Sequence, residues 1–280
     1  MVGPAGISGG AGRWLGWPCP IPAANIGLMV CRPLWETEAG MTMKHVLSWG
    51  RTLIGAALLT FVLKTVAFAT YYIPSESMVP TLQVGDRLIA TKFDYGFSRY
   101  STPLVTLPHL PFTDGRLFDR LPDRGDIVLF THPATGETLV KRLIGLPGDR
   151  IQVVAGRLII NGVMSPRQLV KTYAYQQFEG PPVEVTEYNE TLPNGYVHPI
   201  IMQSDDRPQE NTGVYVVPPD HIFVMGDNRD NSADSRFEEL GYVPVENLIG
   251  RSRAILYSLH SCTPETGLTC ADRRYFTGLD

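Results

Sequence analysis

Two residues stand out for the chemistry they could do together: Ser77 and, 64 positions later, Lys141. Ser77 lies in Ile73-Pro-Ser-Glu-Ser-Met-Val-Pro-Thr-Leu82 and Lys141 in Leu139-Val-Lys-Arg-Leu-Ile-Gly-Leu-Pro-Gly-Asp149. A serine hydroxyl is a poor nucleophile until a neighbour takes its proton. Lysine can act as that neighbour only when neutral, so it needs a dry site that brings its pKa from about 10.4 towards 7–8. Leu139, Val140, Leu143 and Ile144 offer such surroundings. Strand alternation places Leu139, Lys141 and Leu143 on one face and Val140, Arg142 and Ile144 on the other. On pattern alone the blander readings are stronger: a serine in a turn, and an edge lysine that discourages aggregation.

A third block, Gly226-Asp-Asn-Arg-Asp-Asn-Ser-Ala-Asp-Ser-Arg236, superficially resembles a calcium loop. Counted from Asp227, however, position 3 is Arg229 and the glycine of position 6 is replaced by Ser232. Three aspartates and two arginines in eleven residues predict a salt-bridged scaffold rather than a metal cage. No histidine sits in an HExxH-like pattern and no glycine-rich phosphate loop is present.

These blocks need elements to hold them. Across the 24 residues Thr52–Ser75 the only charge is Lys64, and about 20 helical residues cross a bilayer. A central lysine costs roughly 2.5–3.5 kcal/mol on insertion scales, which the surrounding Leu, Ile, Phe and Val can offset. A transmembrane anchor at residues 52–73 is the expectation. Lys44 and Arg51 precede it and Glu76 and Asp86 follow. Residues 1–51 are therefore expected to be cytoplasmic and residues 74–280 to lie outside, with Tyr71 and Tyr72 at the outer interface. Residues 1–40 are rich in Gly, Pro and Ala, and disorder is expected there. Met41 offers an alternative start. Cys262 and Cys270, on the oxidising side, could form a disulfide, whereas Cys19 and Cys31 are expected to be free.

A net charge of −4 argues against a nucleic-acid partner. With 27 Gly and 23 Pro the chain is turn-rich. Short strands are predicted at Arg87–Lys92, Ile127–Phe130, Thr138–Ile144, Val214–Val217, His221–Met225 and Arg253–Tyr257. A hairpin is predicted at 151–160 around Ala155-Gly156. Residues 93–124 read as a long aromatic loop, and 165–212 as polar and irregular with a strand at Val183–Val185. The fold class expected is mostly β: an antiparallel catalytic body with a smaller β insertion at about 150–213, preceded by one helix.

Taken together, Pro74–Leu82, Arg124–Phe130, Val140–Asp149 and Gly226–Arg236 resemble the type I signal peptidase family. The loop Tyr95–Tyr100 resembles its alphaproteobacterial branch. The resemblance spans roughly residues 50–260. It implies Ser77 as nucleophile and Lys141 as general base. It also implies an oxyanion hole from the Ser75 hydroxyl and the Ser77 N–H, and Ser232 bonded to the lysine ammonium. Asp227 would pair with Arg142 and Asp234 with Arg236, while Met78 and Leu82 would wall pockets for small residues, as in Ala-x-Ala. The implied enzyme needs no metal or organic cofactor, acts as a monomer at the bacterial inner membrane, and removes signal peptides from exported preproteins at the bilayer. Two other readings stay open. One is a relative dedicated to a single substrate such as a pilin; the other is a non-catalytic, membrane-tethered β scaffold.

Overall fold

The computed structural model describes residues 43–101, 118–178, 180–259, 268–269 and 273–279. They fall into two units, one ending at Arg51 and the other beginning at Thr52. The helix is longer at its start and shorter at its end than the sequence suggests: it runs Met43–Val66. Its Val46–Lys64 stretch of 19 residues is apolar and long enough to cross a membrane, with none of that window buried. Residues Phe68–Tyr72, expected inside the anchor, form a strand instead, paired with Asp86–Thr91. The β-branched and aromatic run Phe-Ala-Thr-Tyr-Tyr suits a pleated strand better than a helix. Tyr71 and Tyr72 stand on this strand.

The main sheet has eight strands. In spatial order it runs Phe68–Tyr72, Asp86–Thr91, Leu248–Ser258, Ile127–Thr131, Thr138–Gly145, His221–Met225 and Val243–Pro244, with Tyr275–Gly278 pairing onto Leu248–Ser258. Every pairing in it is antiparallel. Register places Lys141 opposite Val128 and Arg142 opposite Ile127 on one side and Met225 on the other. Central strands here are buried on both faces, so Ile127–Thr131 reads as a continuous apolar run. Val128, Phe130, Leu143, Val224 and Leu248 form one core cluster. Ile144, Ile151, Leu158 and Phe223 form another, towards the insertion.

The predicted hairpin is present: Arg150–Val154 pairs with Arg157–Ile160 across Ala155 and Gly156, both at positive φ (47° and 68°). Two such residues match the twist of the flanking strands. The stretch 165–212 is far more regular than its sequence suggests. Arg167–Tyr175, Val183–Thr191 and Val197–Met202 form an antiparallel sheet, joined in parallel by Leu268–Thr269. Arg167–Tyr175 has no buried residue, so it carries no alternation of apolar and polar positions to announce it. In the loop expected at 93–124, the described part is turn and irregular structure, and residues 102–117 lie outside the described residues. So do residues 1–42 and both Cys262 and Cys270.

Candidate active site

Ser77 is carried by the loop between strands Phe68–Tyr72 and Asp86–Thr91. The loop is pinned from beneath: Ile73, Met78 and Leu82 enter a buried cluster with Leu88, Ile127 and Ile255. Each such side chain contributes about 1.5–3 kcal/mol when fully buried. Backbone bonds from Leu82 N–H to Met78 O (2.8 Å) and from Val79 N–H to Glu76 O (3.1 Å) wind the segment into tight turns. Ser77 is 8% exposed, so its hydroxyl has little freedom to wander.

Lys141 comes from the opposite direction, on strand Thr138–Gly145, and is 4% exposed. Its Nζ donates to Ser77 Oγ at 2.5 Å. Burial lowers its pKa from 10.5 to about 8; Asp234 and Asp227 pull upward at longer range, and Arg236 pushes down. A substantial fraction of this lysine is thus neutral in mildly alkaline water. Ser75 Oγ lies 3.4 Å from Ser77 Oγ. Beside the pair is a cavity of about 150 Å³ walled by Tyr71, Ile73, Met78, Leu139 and Val140, with Ser75, Ser77 and Lys141 also facing it. Leu82, expected on that wall, is instead packed behind Met78 in the core.

The adjacent residue, Arg142, points into a different environment. Its Nε and Nη2 donate to the two Asp227 oxygens at 2.7 and 2.6 Å, and Nη1 donates to Gly125 O at 2.7 Å. Burial alone would raise the Asp227 carboxyl, but the guanidinium beside it holds it well below the usual carboxylate range. Asp234 likewise receives Arg236 Nε and Nη2, both at 2.9 Å, and accepts from the Gly226 N–H at 3.0 Å. The salt-bridged scaffold read from the Gly226–Arg236 block is therefore present, and it is larger than the sequence suggests. Arg229 makes a two-pronged contact with Glu190, and Arg236 Nη1 reaches Glu210 Oε1 at 2.6 Å. His198 lies between the pairs, 3.4 Å from Glu190 Oε2 and 3.3 Å from Asp227 Oδ1. Glu190 and Glu210 carry no local signal, because Arg229 and Arg236 lie 39 and 26 residues away.

Ser232 departs from expectation. Its hydroxyl is buried without a hydrogen-bond partner, and the expected bond to the Lys141 ammonium is not formed. Lys141 Nζ is turned to Ser77, while Ser232 packs against Gly226. A Cβ added at Gly226 would stand 2.2 Å from Ser232 Oγ and 2.4 Å from the Ser77 carbonyl oxygen. Glycine is required at 226 for this close approach, which sets the Ser232 hydroxyl near the Ser77 backbone. Among the described residues no His, Cys, Asp and Glu are grouped to hold a metal ion.

Such an arrangement can deprotonate a serine beside an apolar cavity. Comparison with known proteins gives the family. Residues 46–257 match the family model described as signal peptidase, peptidase S26. Signal peptidase I of Rickettsia typhi is 39% identical over 231 residues, which cover 80% of this chain and 83% of that protein. Its counterpart in Rickettsia conorii is 40% identical over 195 residues, 67% of this chain and 71% of that one. That of Rickettsia prowazekii is 37% identical over 207 residues, 71% and 76% respectively. A solved signal peptidase I from Enterococcus faecalis V583, 28% identical, covers 47% of this chain and 97% of its own, with a TM-score of 0.28, too low to compare the folds in detail.

Proposed function

This chain belongs to the signal peptidase family, peptidase S26, in its alphaproteobacterial type I branch, and we propose that it cuts signal peptides from preproteins with a Ser77–Lys141 dyad. Signal peptidase I is a serine endopeptidase, so the chemistry to account for is amide hydrolysis. The observation that carries the reading is the 2.5 Å contact between a buried lysine amine and a buried serine hydroxyl, beside an apolar cavity.

In the proposed cycle the neutral Lys141 amine takes the Ser77 proton as Oγ attacks the carbonyl carbon of the −1 residue. The resulting oxyanion is stabilised by the Ser75 hydroxyl and the Ser77 N–H; losing one such donor typically costs about 10²–10³ in rate. The Lys141 ammonium then returns its proton to the departing amine of the mature protein, leaving an ester on Ser77. A water gives its proton to Lys141 as it attacks the ester; the ammonium then returns that proton to the departing Ser77 Oγ, releasing the signal peptide with a free carboxyl terminus and restoring both residues. The partnerless Ser232 hydroxyl is an acceptor for the ammonium formed midway. Asp227 and Arg142, with Asp234 and Arg236, hold the strand and block that carry these groups. Met78 helps shape the cavity for small residues at −1 and −3, as in Ala-x-Ala.

The helix would be the anchor, with residues before it in the cytoplasm and the β body at the outer face of the inner membrane. Tethering beside the bilayer that holds the precursor's own apolar segment raises effective concentration. The test is cleavage of an Ala-x-Ala preprotein by detergent-solubilised protein, with Ser77→Ala and Lys141→Ala alongside. Cleavage after the −1 alanine by wild type alone is expected, each variant losing at least about 10²–10⁴ in rate. Continued cleavage by either variant would remove that residue from the mechanism.

A further inference from the structure

Glu76 stands between Ser75 and Ser77, yet the reaction above gives its side chain no task. Its carboxylate gathers three donors from distant parts of the chain. Oε1 accepts from the Tyr175 hydroxyl and from the Phe178 backbone N–H, both at 2.6 Å. Oε2 accepts from Asn231 Nδ2 at 3.2 Å. The main chain joins in: Asn228 Nδ2 donates to Glu76 O at 3.2 Å, and the Asn228 N–H donates to Ser77 O at 3.1 Å. Glu76 therefore clasps the end of the Arg167–Tyr175 arm, and the Asp/Asn block, onto the loop that carries the nucleophile. Burial first, then the bond to Glu76, raises the Tyr175 phenol far above its usual range, so it remains a donor. Bonds to an ionised acceptor are roughly twice as strong as neutral ones.

The clasp borders a second, open hollow of about 400 Å³, lined by Pro74, Ser75, Glu76, Gln177, Phe178 and Asn231. It shares Pro74 and Ser75 with the apolar cavity, so the two meet at the serine loop. Their chemistry differs: aliphatic and aromatic walls on one side, and a carboxylate, two primary amides and a hydroxyl on the other. A peptide with its −1 side chain in the apolar cavity has its scissile carbonyl at Ser77, and its next residues continue past Ser75. We propose that Glu76 is a specificity-setting positioning residue, building a polar subsite for hydrogen-bonding residues at +1 and +2 of the precursor. This rests on the reading of Ser77 as nucleophile in a preprotein peptidase. Three donors already engage the carboxylate, one of them Asn231 Nδ2, so recognition falls to the Gln177 amide and the remaining N–H and oxygen of the Asn231 amide. A leucine there would cover these amides without pairing them, which a site offering hydrogen bonds disfavours.

The experiment uses two preproteins identical through the −1 alanine, with Ser-Asn or Leu-Leu at +1 and +2. Both are cut by full-length wild type, Glu76→Ala and Glu76→Gln in detergent. Wild type is expected to favour the Ser-Asn precursor about tenfold in kcat/KM. Glu76→Ala should bring that ratio to within about twofold of one, chiefly through a raised KM for the polar precursor. Glu76→Gln keeps an acceptor for Tyr175 and Phe178 and should retain part of the preference, which covers the case of an unstable alanine variant. Equal cleavage of both precursors by wild type overturns the subsite and leaves the peptidase reading standing. An equal slowing of both by Glu76→Ala also overturns it, since Glu76 would then only steady the nucleophile's loop. No cleavage of either precursor by wild type sinks both readings.

Discussion

Lys141 and Arg142 are consecutive on one strand and almost equally buried, 4% and 1% exposed, yet their charges meet opposite fates. Arg142 finds a carboxylate in a two-pronged contact, a backbone carbonyl, and the Tyr196 ring 5.7 Å from its guanidinium carbon. Burial alone would weaken its hold on a proton, but Asp227 more than reverses this. Lys141 is given a hydroxyl instead of a carboxylate, so desolvation wins and its proton is loosened. Burial does not by itself decide whether a cation is structural or reactive; the partner placed beside it does.

That comparison extends to the surrounding groups. Behind Arg142, three arginines (142, 229 and 236) meet four carboxylates (Glu190, Glu210, Asp227 and Asp234), nearly all fully buried. Around Ser77 and Lys141 the walls are Ile73, Met78, Leu139 and Val140. One region is held by paired charge; in the other, burial among apolar side chains leaves one amine easier to deprotonate.

The largest effect should come from breaking a structural pair. Asp227→Ala leaves the Arg142 cation buried and uncompensated, and should destabilise the fold by about 3–5 kcal/mol in chemical unfolding. Replacing both partners by leucine should recover much of that loss. A cost for Asp227→Ala below about 1 kcal/mol would mean that Arg142 is not held by this pair.

The reactive cation should respond with the opposite sign. Lowering a lysine from 10.5 to about 8 corresponds to ~3 kcal/mol of disfavoured charge. The folded state binds fewer protons than the unfolded one between those values, so this penalty is full below pH 8 and fades as pH rises towards 10.5. Lys141→Met should therefore be inactive yet about 1–3 kcal/mol more stable than wild type at pH 6, with the gap closing by pH 10. Equal or lower stability at pH 6 would show that the lysine is well accommodated as a cation.

The smallest effect is the pH profile of cleavage by wild type. A base titrating at about 8 should raise kcat/KM about fivefold from pH 7 to 8 and less than twofold from 8 to 9. A flat profile from pH 5 to 9 would count against a lysine base.

Much of the site is legible without coordinates because its parts are local. Ser75 and Ser77 share one short loop, Lys141 and Arg142 one strand, and Asp227, Ser232, Asp234 and Arg236 one eleven-residue block. The central strands are equally legible, since runs such as Ile127-Val-Leu-Phe130 are apolar throughout. The exposed arm Arg167–Tyr175 escapes notice because a strand held by hydrogen bonds, with little burial, leaves no apolar alternation. The end of the anchor is misread for a related reason: Phe68–Tyr72 continues the helix's run without charges, and its pairing with Asp86–Thr91 makes it a strand.

Residue types and spacing thus determined the fold class and the membrane-length helix, and brought forward the serine and lysine proposed to react. Tertiary structure alone decided that Nζ reaches Oγ, that Ser232 lacks a partner, that Leu82 lies behind the cavity wall, and that Glu76 clasps an arm about a hundred residues away. Side-chain type and local pattern are properties of short segments. Desolvation, pairing and reach depend on which distant segments the sheet brings together, and no short window of sequence contains that information.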